Sequence, residues 1–271
     1  MNINHIYHGD CKEILSSFPE ESVDTVVTSP PYDNIRKYNG YTFSQDDCKH
    51  IIQELFRVLK TGGVVVWIVG DKTTKGSETG TSFRQALMFM DTGFKLHDTM
   101  IYEKNTSSFP ATKKSKRYTQ IFEYMFVFCK NKIRGDIQLI CDKPNKWAGH
   151  TNWGKNTARG KSGTLVETTS IKPVPEFSLR NNIWRYNVGK GFNSSDDESH
   201  LHPAIFPEKL AEDHILSWSV AGDVILDPFS GSGTTCKMAL KNDRRYIGID
   251  ISQEYVELSR KIIAKYTQNS I

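Results

Sequence analysis

The sequence predicts an α/β fold: a mostly parallel central sheet with helices on both faces. Three observations predict it. Strand-like and helix-like segments alternate up to about residue 130 and again after Pro207, the pattern of strand–helix–strand units. Val64 to Val69 is a continuous apolar run of the kind buried on both faces of a parallel sheet. A glycine turn, Gly231-Ser232-Gly233, follows the apolar run Val224-Ile225-Leu226 and opens a helical pattern.

The elements follow in order. Residues 3–9 form a short strand ended by Gly9-Asp10, and a helix follows with Ile14, Leu15 and Phe18 inward, ended by Pro19. Residues 23–27 are a buried strand that stops at Ser29-Pro30-Pro31. Ser44 starts a helix: Asp47 stands three residues on, Ile51, Ile52, Leu55, Val58 and Leu59 share a face, and Gly62-Gly63 lies past its end. A helix over about 82–92 ends at Gly93, and strands follow near 94–103 and 120–129. From 131 to 200 the chain turns rich in Asn, Gly, Ser, Thr and Lys without sustained period, which predicts an irregular or small mixed module. Beyond Pro207, Leu210, His214, Ile215 and Trp218 share a helical face. A strand at 224–226, a helix at 234–240, a strand at 245–249 and a last helix begun by Ser252 complete the chain.

The chain of 271 residues is long enough for one large domain with an added module. No run of 18 apolar residues exists to cross a membrane, and the N-terminus lacks the basic and apolar regions of a signal peptide. Five scattered cysteines without a C-x-x-C pair argue against a disulfide framework and a zinc site, so reduced thiols, a cytoplasmic setting and no metal are expected. The net charge of +4 is uneven: Lys130 to Lys190 carries a balance of +8 and the remainder −4. A basic block on a near-neutral body suggests a polyanion partner.

Two motifs carry the chemistry. In Asp227-Pro228-Phe229-Ser230-Gly231-Ser232-Gly233-Thr234 the glycines allow a tight turn and close backbone approach to a ligand, and Thr234 and Thr235 can help cap the helix. Asp250 ends the next strand about 20 residues on, the spacing at which a carboxylate meets a ribose diol; a charge at a helix N-terminus is the plainer role for it. Asp10 ends another strand, where it could equally cap a helix with Glu13. The second motif, Ser29-Pro30-Pro31-Tyr32, lies about 195 residues before Asp227. Two successive prolines fix a loop whose carbonyls have no ladder duty.

Thr28-Ser29-Pro30-Pro31-Tyr32 followed, and not preceded, by the glycine loop resembles the permuted group called β among the amino-methyltransferases of DNA, found in bacteria and their phages. The resemblance covers about 1–130 and 200–265. It implies S-adenosylmethionine as cofactor and a circularly permuted, Rossmann-like methyltransferase fold. Residues 1–130 and 201–271 would be the catalytic domain and 131–200 the target-recognition region. It places Asp10 near the adenine ring of the cofactor, and His202-Pro203 with Phe206-Pro207-Glu208 as the remaining cofactor motif. Arg117-Tyr118 through Glu123-Tyr124 and Phe126-Val127-Phe128 resemble the late strand near the target base.

A base amine is a weak nucleophile because its lone pair is delocalised into the ring. Acceptors aimed at its hydrogens favour the tetrahedral transition state. The Ser29 side chain and the Pro30 carbonyl are assigned that role, and Tyr32 the stacking of a flipped base. The serine form is more often linked to N4 of cytosine, the base expected here, with N6 of adenine as the alternative. RNA base methylation and a DNA-binding relative without catalysis are the remaining readings.

Lys113, Lys114, Lys116 and Arg117 cluster beside the expected base pocket, suited to phosphate. Arg159, Lys161, Arg180 and Arg185 are candidates for base or phosphate contact within the basic region, and Asn152 to Lys155 and Asn182 to Arg185 are its expected ordered parts, each anchored by a tryptophan. The expected partners are double-stranded DNA and, unless the protein is an unpaired relative of such systems, a cognate restriction endonuclease, for a protein that is a monomer or homodimer.

Overall fold

Asp10 ends the first strand, β1 (His5–His8), and caps the helix behind it: its Oδ1 accepts the Lys12 N–H at 2.8 Å at the start of α1 (Cys11–Ser16). Phe18 is buried, although the helix has already stopped. β2 (Val23–Thr28) is buried at every position and runs into the two prolines. At the start of α2 (Gln45–Val58) Ser44 and Asp47 form a reciprocal capping box, and Cys48, Ile51, Ile52, Leu55 and Val58 form its buried face. β3 (Leu59–Val69) follows directly, and a two-residue hairpin, β4 (Thr73–Thr74) and β5 (Ser77–Glu78), leads to α3 (Thr81–Thr92). Gly93 ends α3 at φ 112°, a conformation glycine adopts without strain.

The next elements are β6 (Lys95–Lys104), β7 (Phe122–Cys129), the short strands β8 (Lys143–Pro144), β9 (Asn156–Arg159), β10 (Leu165–Thr168) and β11 (Phe177–Ser178), and then β12 (Ile183–Tyr186). The chain closes with α4 (Glu208–Trp218), β13 (Val224–Asp227), α5 (Thr234–Lys241), β14 (Arg245–Asp250) and α6 (Gln253–Thr267). This computed structural model describes every residue except 32–42, 108–109, 152–155, 169–171, 190, 202–204, 206 and 268–271.

Eight strands form one sheet in the order β1-β14-β13-β2-β3-β7-β6-β12. The first five are mutually parallel, β7 is antiparallel to β3 and β6, and β12 runs parallel to β6. β14 and β1 lie on one side of β13, and β2 and β3 on the other. The order therefore reverses between β13 and β2, and such a reversal opens a ligand crevice at the carboxyl ends of the strands. These two strands come from opposite ends of the chain, as the permuted fold requires.

Alternation along the strands divides the core. Val26, Val65, Trp67 and Val69 face one side, with α1, α2 and α3; Val27, Val64, Val66 and Ile68 face the other, with α4, α5 and α6. The face Leu210, His214, Ile215 and Trp218 is buried as its spacing predicted.

The structure divides the region expected at 131–200. It forms two compact units: Met1–Gln138 with Asn182–Ile271, and Leu139–Asn181. β12 thus belongs to the main sheet, where Trp184 is buried and packs on His214 with ring centroids 4.6 Å apart. The order expected at Asn182 to Arg185 is this strand, but four residues are too short a run for periodicity to mark it as one or to assign it to the main sheet.

The smaller unit is held by antiparallel pairing of β8 with β11 and of β9 with β10. No hydrophobic residue described in it is buried; Trp147, Leu165, Phe177 and Leu179 are exposed.

Candidate active site and cofactor pocket

The turn after β13 takes the shape its glycines permit. Gly231 lies at φ 49° and Gly233 at φ 83°, a region that a Cβ makes costly. Gly233 is also constrained by space: a Cβ there would stand 2.8 Å from the Ser259 Cβ of α6. Asp250 joins the loop to β14. One of its oxygens accepts the Gly231 N–H and the other the Ser252 N–H, each at 2.8 Å. Burial pushes this carboxyl above its ordinary value, against those two hydrogen bonds.

A cavity of about 1460 Å³ runs along the carboxyl ends of the strands. Asp10, Pro228, Phe229, Ser230, Gly231, Thr234 and Asp250, all expected at the cofactor, line it. Gly233 lies at the N-cap of α5, beneath them. His202 and Phe206 fall outside the described residues, while Asn193 and Ile205 of the same stretch line the cavity. Ser230 Oγ is the one buried side-chain polar atom among the described residues without a hydrogen-bond partner. An unsatisfied buried hydroxyl costs about 1–3 kcal/mol, so a polar ligand here has a group waiting for it. Sequence reasoning did not find Lys12, Phe43 or Tyr255, which also line the cavity. Lys12 pairs with Asp10 at 3.5 Å and with Asp47 at the head of α2, and Phe43 meets Phe229 edge to face at 5.5 Å. Their signal lay in tertiary pairing, which a single sequence does not display.

Asp227 departs from its expected place. It is 2% exposed and does not line the cavity. Its Oδ1 accepts the Thr28 hydroxyl at 2.6 Å and the Phe229 N–H at 3.1 Å. Burial pushes its pKa up to about 6, against the hydrogen bonds from Thr28, Phe229 and Thr235. A carboxyl raised in the fold stabilises most below its unfolded value, and loses that contribution as pH rises through the folded one. Relative to wild type, Asp227→Asn is therefore expected to gain thermal stability between about pH 4.5 and about pH 7.5, by about 2 kcal/mol. Melting curves at both pH values test this; a pH-independent difference would contradict it.

On the other side of the reversal, Ser29 and Pro31 line the cavity next to the glycine loop, and Pro30 is buried behind them. Tyr32 lies outside the described residues. The cavity continues past Lys104 and Glu123, which form an ion pair, to Arg117, Tyr118 and Tyr124. Arg117 is the one member of the basic cluster in this wall; Lys113, Lys114 and Lys116 are exposed on the turn beside it. Arg117 also contacts Glu78 at 3.5 Å.

The other basic candidates separate. Arg185 is on β12 in the larger unit, paired with Glu103 at 2.5 Å, so its expected membership of the recognition region is corrected. Arg180 pairs with Asp142 inside the smaller unit, and Arg159 and Lys161 are exposed there.

One charged cluster lies behind the cavity. The Lys237 side chain on α5 is 2% exposed. It is paired with Asp196 and with Glu208 at 2.6 Å, and donates to Ser195 Oγ at 2.9 Å. Burial alone would lower its pKa, but the hydrogen bonds to Asp196 and Glu208 raise it. The cluster ties the stretch bearing Asn193 and Ile205 to the helix that starts at the glycine loop.

Comparison with known proteins agrees with this geometry. A family described as DNA methylase, of the N6 and N4 type, matches residues 23–261. The chain belongs to this family. The methylase is 53% identical over 245 residues to the orphan methyltransferase M.BamHII of Bacillus amyloliquefaciens, covering 90% of each chain. Its fold resembles that of the PvuII DNA methyltransferase (cytosine-N4-specific), with a TM-score of 0.66, 24% identity, and coverage of 98% of this chain and 87% of the other. It also resembles TTHA0409 of Thermus thermophilus, a putative DNA modification methylase complexed with S-adenosyl-L-methionine. There the TM-score is 0.64 and the identity 24%, with 98% of this chain and 95% of the other covered.

The methylase is a Rossmann-like α/β enzyme whose cofactor is S-adenosylmethionine. The residues fit that group: Gly231 brings backbone without a side chain to the cavity wall, the Asp250 carboxylate stands there on the strand after it, and Ser230 offers an unused hydroxyl. The cofactor supplies an electrophilic methyl group on a sulfonium. Asp250→Ala is expected to weaken S-adenosylmethionine binding about 10- to 100-fold, the worth of hydrogen bonds to a charged group. Calorimetric titration checks this; unchanged affinity would remove Asp250 from the cofactor site. Among the described residues no helix is long and apolar enough to cross a membrane.

Proposed function

We propose that this methylase transfers the methyl group of S-adenosylmethionine to N4 of a cytosine flipped out of double-stranded DNA at a specific site. The observation that carries the reading is the sharing of one cavity by Ser29, Pro31 and the glycine loop, on adjacent strands. The methyl donor and the base amine would then meet between β13 and β2. The Ser29 hydroxyl and the Pro30 carbonyl accept the amine hydrogens, which draws the nitrogen towards tetrahedral geometry as its lone pair attacks. The amine proton leaves from the cationic product to solvent. Tyr32 stacks on the extruded ring, worth roughly 1–3 kcal/mol.

The choice of cytosine rests on the serine of the second motif. N6 of adenine is the second reading, favoured by the joint N6 and N4 character of the family. Lys113, Lys114, Lys116 and Arg117 lie beside the base end of the cavity and would neutralise phosphates. The Leu139–Asn181 unit would read sequence, with Arg159, Lys161 and Arg180 as its contacts. Its exposed apolar residues are of the kind that mark an interaction surface. The enzyme would act in the cytoplasm, paired with a restriction endonuclease or, like the orphan relative, without one.

The base is tested by expressing the methylase in a host free of amino-methylated DNA and digesting the genomic DNA to nucleosides. N4-methylcytosine is the expected product. N6-methyladenine would keep the fold and the site and replace the base.

A further inference from the structure

We infer that Thr28 is a positioning residue: through the buried Asp227 carboxylate it fixes the catalytic loop to the cofactor loop. The inference rests on the reading of the cavity as the place where methyl donor and base amine meet.

Thr28 and Asp227 stand 199 residues apart in sequence, yet the Thr28 hydroxyl donates to Asp227 Oδ1 at 2.6 Å. Both residues are buried. The same oxygen accepts the Phe229 N–H, the second residue of the cofactor loop after Asp227. On the other side Thr28 is covalently next to Ser29. One carboxylate oxygen thus connects the backbone of the loop that cradles the cofactor to the residue preceding the amine acceptor. A second link runs parallel to it, because the Thr235 hydroxyl of α5 donates to the Val27 carbonyl at 3.1 Å.

The β-ladder alone leaves this junction loose. β13 and β2 pair directly only at Ile225 with Thr25 and Leu226 with Val26. β13 ends at Asp227 and β2 at Thr28, past the last ladder pair, and the side-chain bridge joins the two strand ends there. Asp227 is sealed beneath the cavity, which suits a link better than a ligand. Methyl transfer needs nitrogen, carbon and sulfur in line, and misplacement by about 1 Å can cost about 100-fold in rate. Loss of the bridge should therefore fall on the chemical step and leave cofactor binding in place. It should also be curable by any side chain that restores the hydroxyl.

The test compares Thr28→Val, of nearly equal size, with Thr28→Ser, which keeps the hydroxyl. Methyl transfer is measured on unmethylated high-complexity DNA at saturating cofactor, and cofactor affinity by calorimetry. Thr28→Val is expected to bind S-adenosylmethionine within about threefold of wild type and to lose at least about tenfold in kcat, with Thr28→Ser restoring most of it. Wild-type kcat in Thr28→Val, or a loss confined to cofactor affinity, overturns the inference. If Thr28→Val does not fold, Thr28→Ala against Thr28→Ser makes the same comparison, and the same two outcomes decide it. Absence of transfer by the wild-type enzyme would instead strike the underlying reading.

Discussion

Ser29→Ala is expected to lower kcat for methyl transfer by about 100-fold while leaving S-adenosylmethionine affinity unchanged. The magnitude follows from what one preorganised hydrogen-bonding group contributes in a transition state, about 10²–10³ in rate. Ser29 lines the cavity just past the end of β2, where a substrate would meet it. The Pro30 carbonyl remains in the variant, which places the loss at the lower end of that range. Affinity survives because Asp250, the glycine loop and Ser230 belong to other strands and loops. Single-turnover rates and calorimetric titration of the same preparation separate the two effects. A variant that turns over like wild type would remove the Ser29 hydroxyl from the chemistry.

The second large effect is on stability. Lys237→Met is expected to destabilise the protein by about 3 kcal/mol, because it leaves the buried Glu208 without its cation and Asp196 with only Lys265, 3.7 Å away. Lys237 is 2% exposed at its side chain, and Asp196 and Glu208 are 9% and 16% exposed, so water cannot easily take its place. Removing all three charges together, as Lys237→Met with Asp196→Asn and Glu208→Gln, should recover most of the loss, since no charge is then stranded. Denaturant unfolding of the single and triple variants checks this. Equal destabilisation in both would show that packing and not charge holds the cluster.

How much of this was legible beforehand depended on the reach of each interaction. The capping box of Ser44 and Asp47, the buried run Val64–Val69 and the glycine turn act over a few residues, and sequence pattern found them. The sheet order across the two chain ends followed from the order of the motifs. Asn182 to Arg185 reads as an ordered piece of the basic region but not as β12, because four residues in a polar stretch carry no period and the partner β6 lies about 80 residues away. Asp227 reads as part of the cofactor motif because sequence shows its place at the head of the glycine loop but not that Thr28 closes over it. Lys237 passed unnoticed because a lysine in an amphipathic helix is usually solvated, and only the fold brings two carboxylates to it. The partition of the basic region was likewise a tertiary fact, since composition alone does not separate Arg185 from Arg180.

The central claim is that one cavity unites the methyl donor with a base amine of DNA. Its most direct test is transfer of labelled methyl from S-adenosylmethionine to unmethylated DNA and, in parallel, to RNA. Label in DNA, recovered in N4-methylcytosine and sharply reduced by Ser29→Ala, is the predicted result. Label in RNA alone, or cofactor bound with no methyl transferred to either polymer, would contradict it.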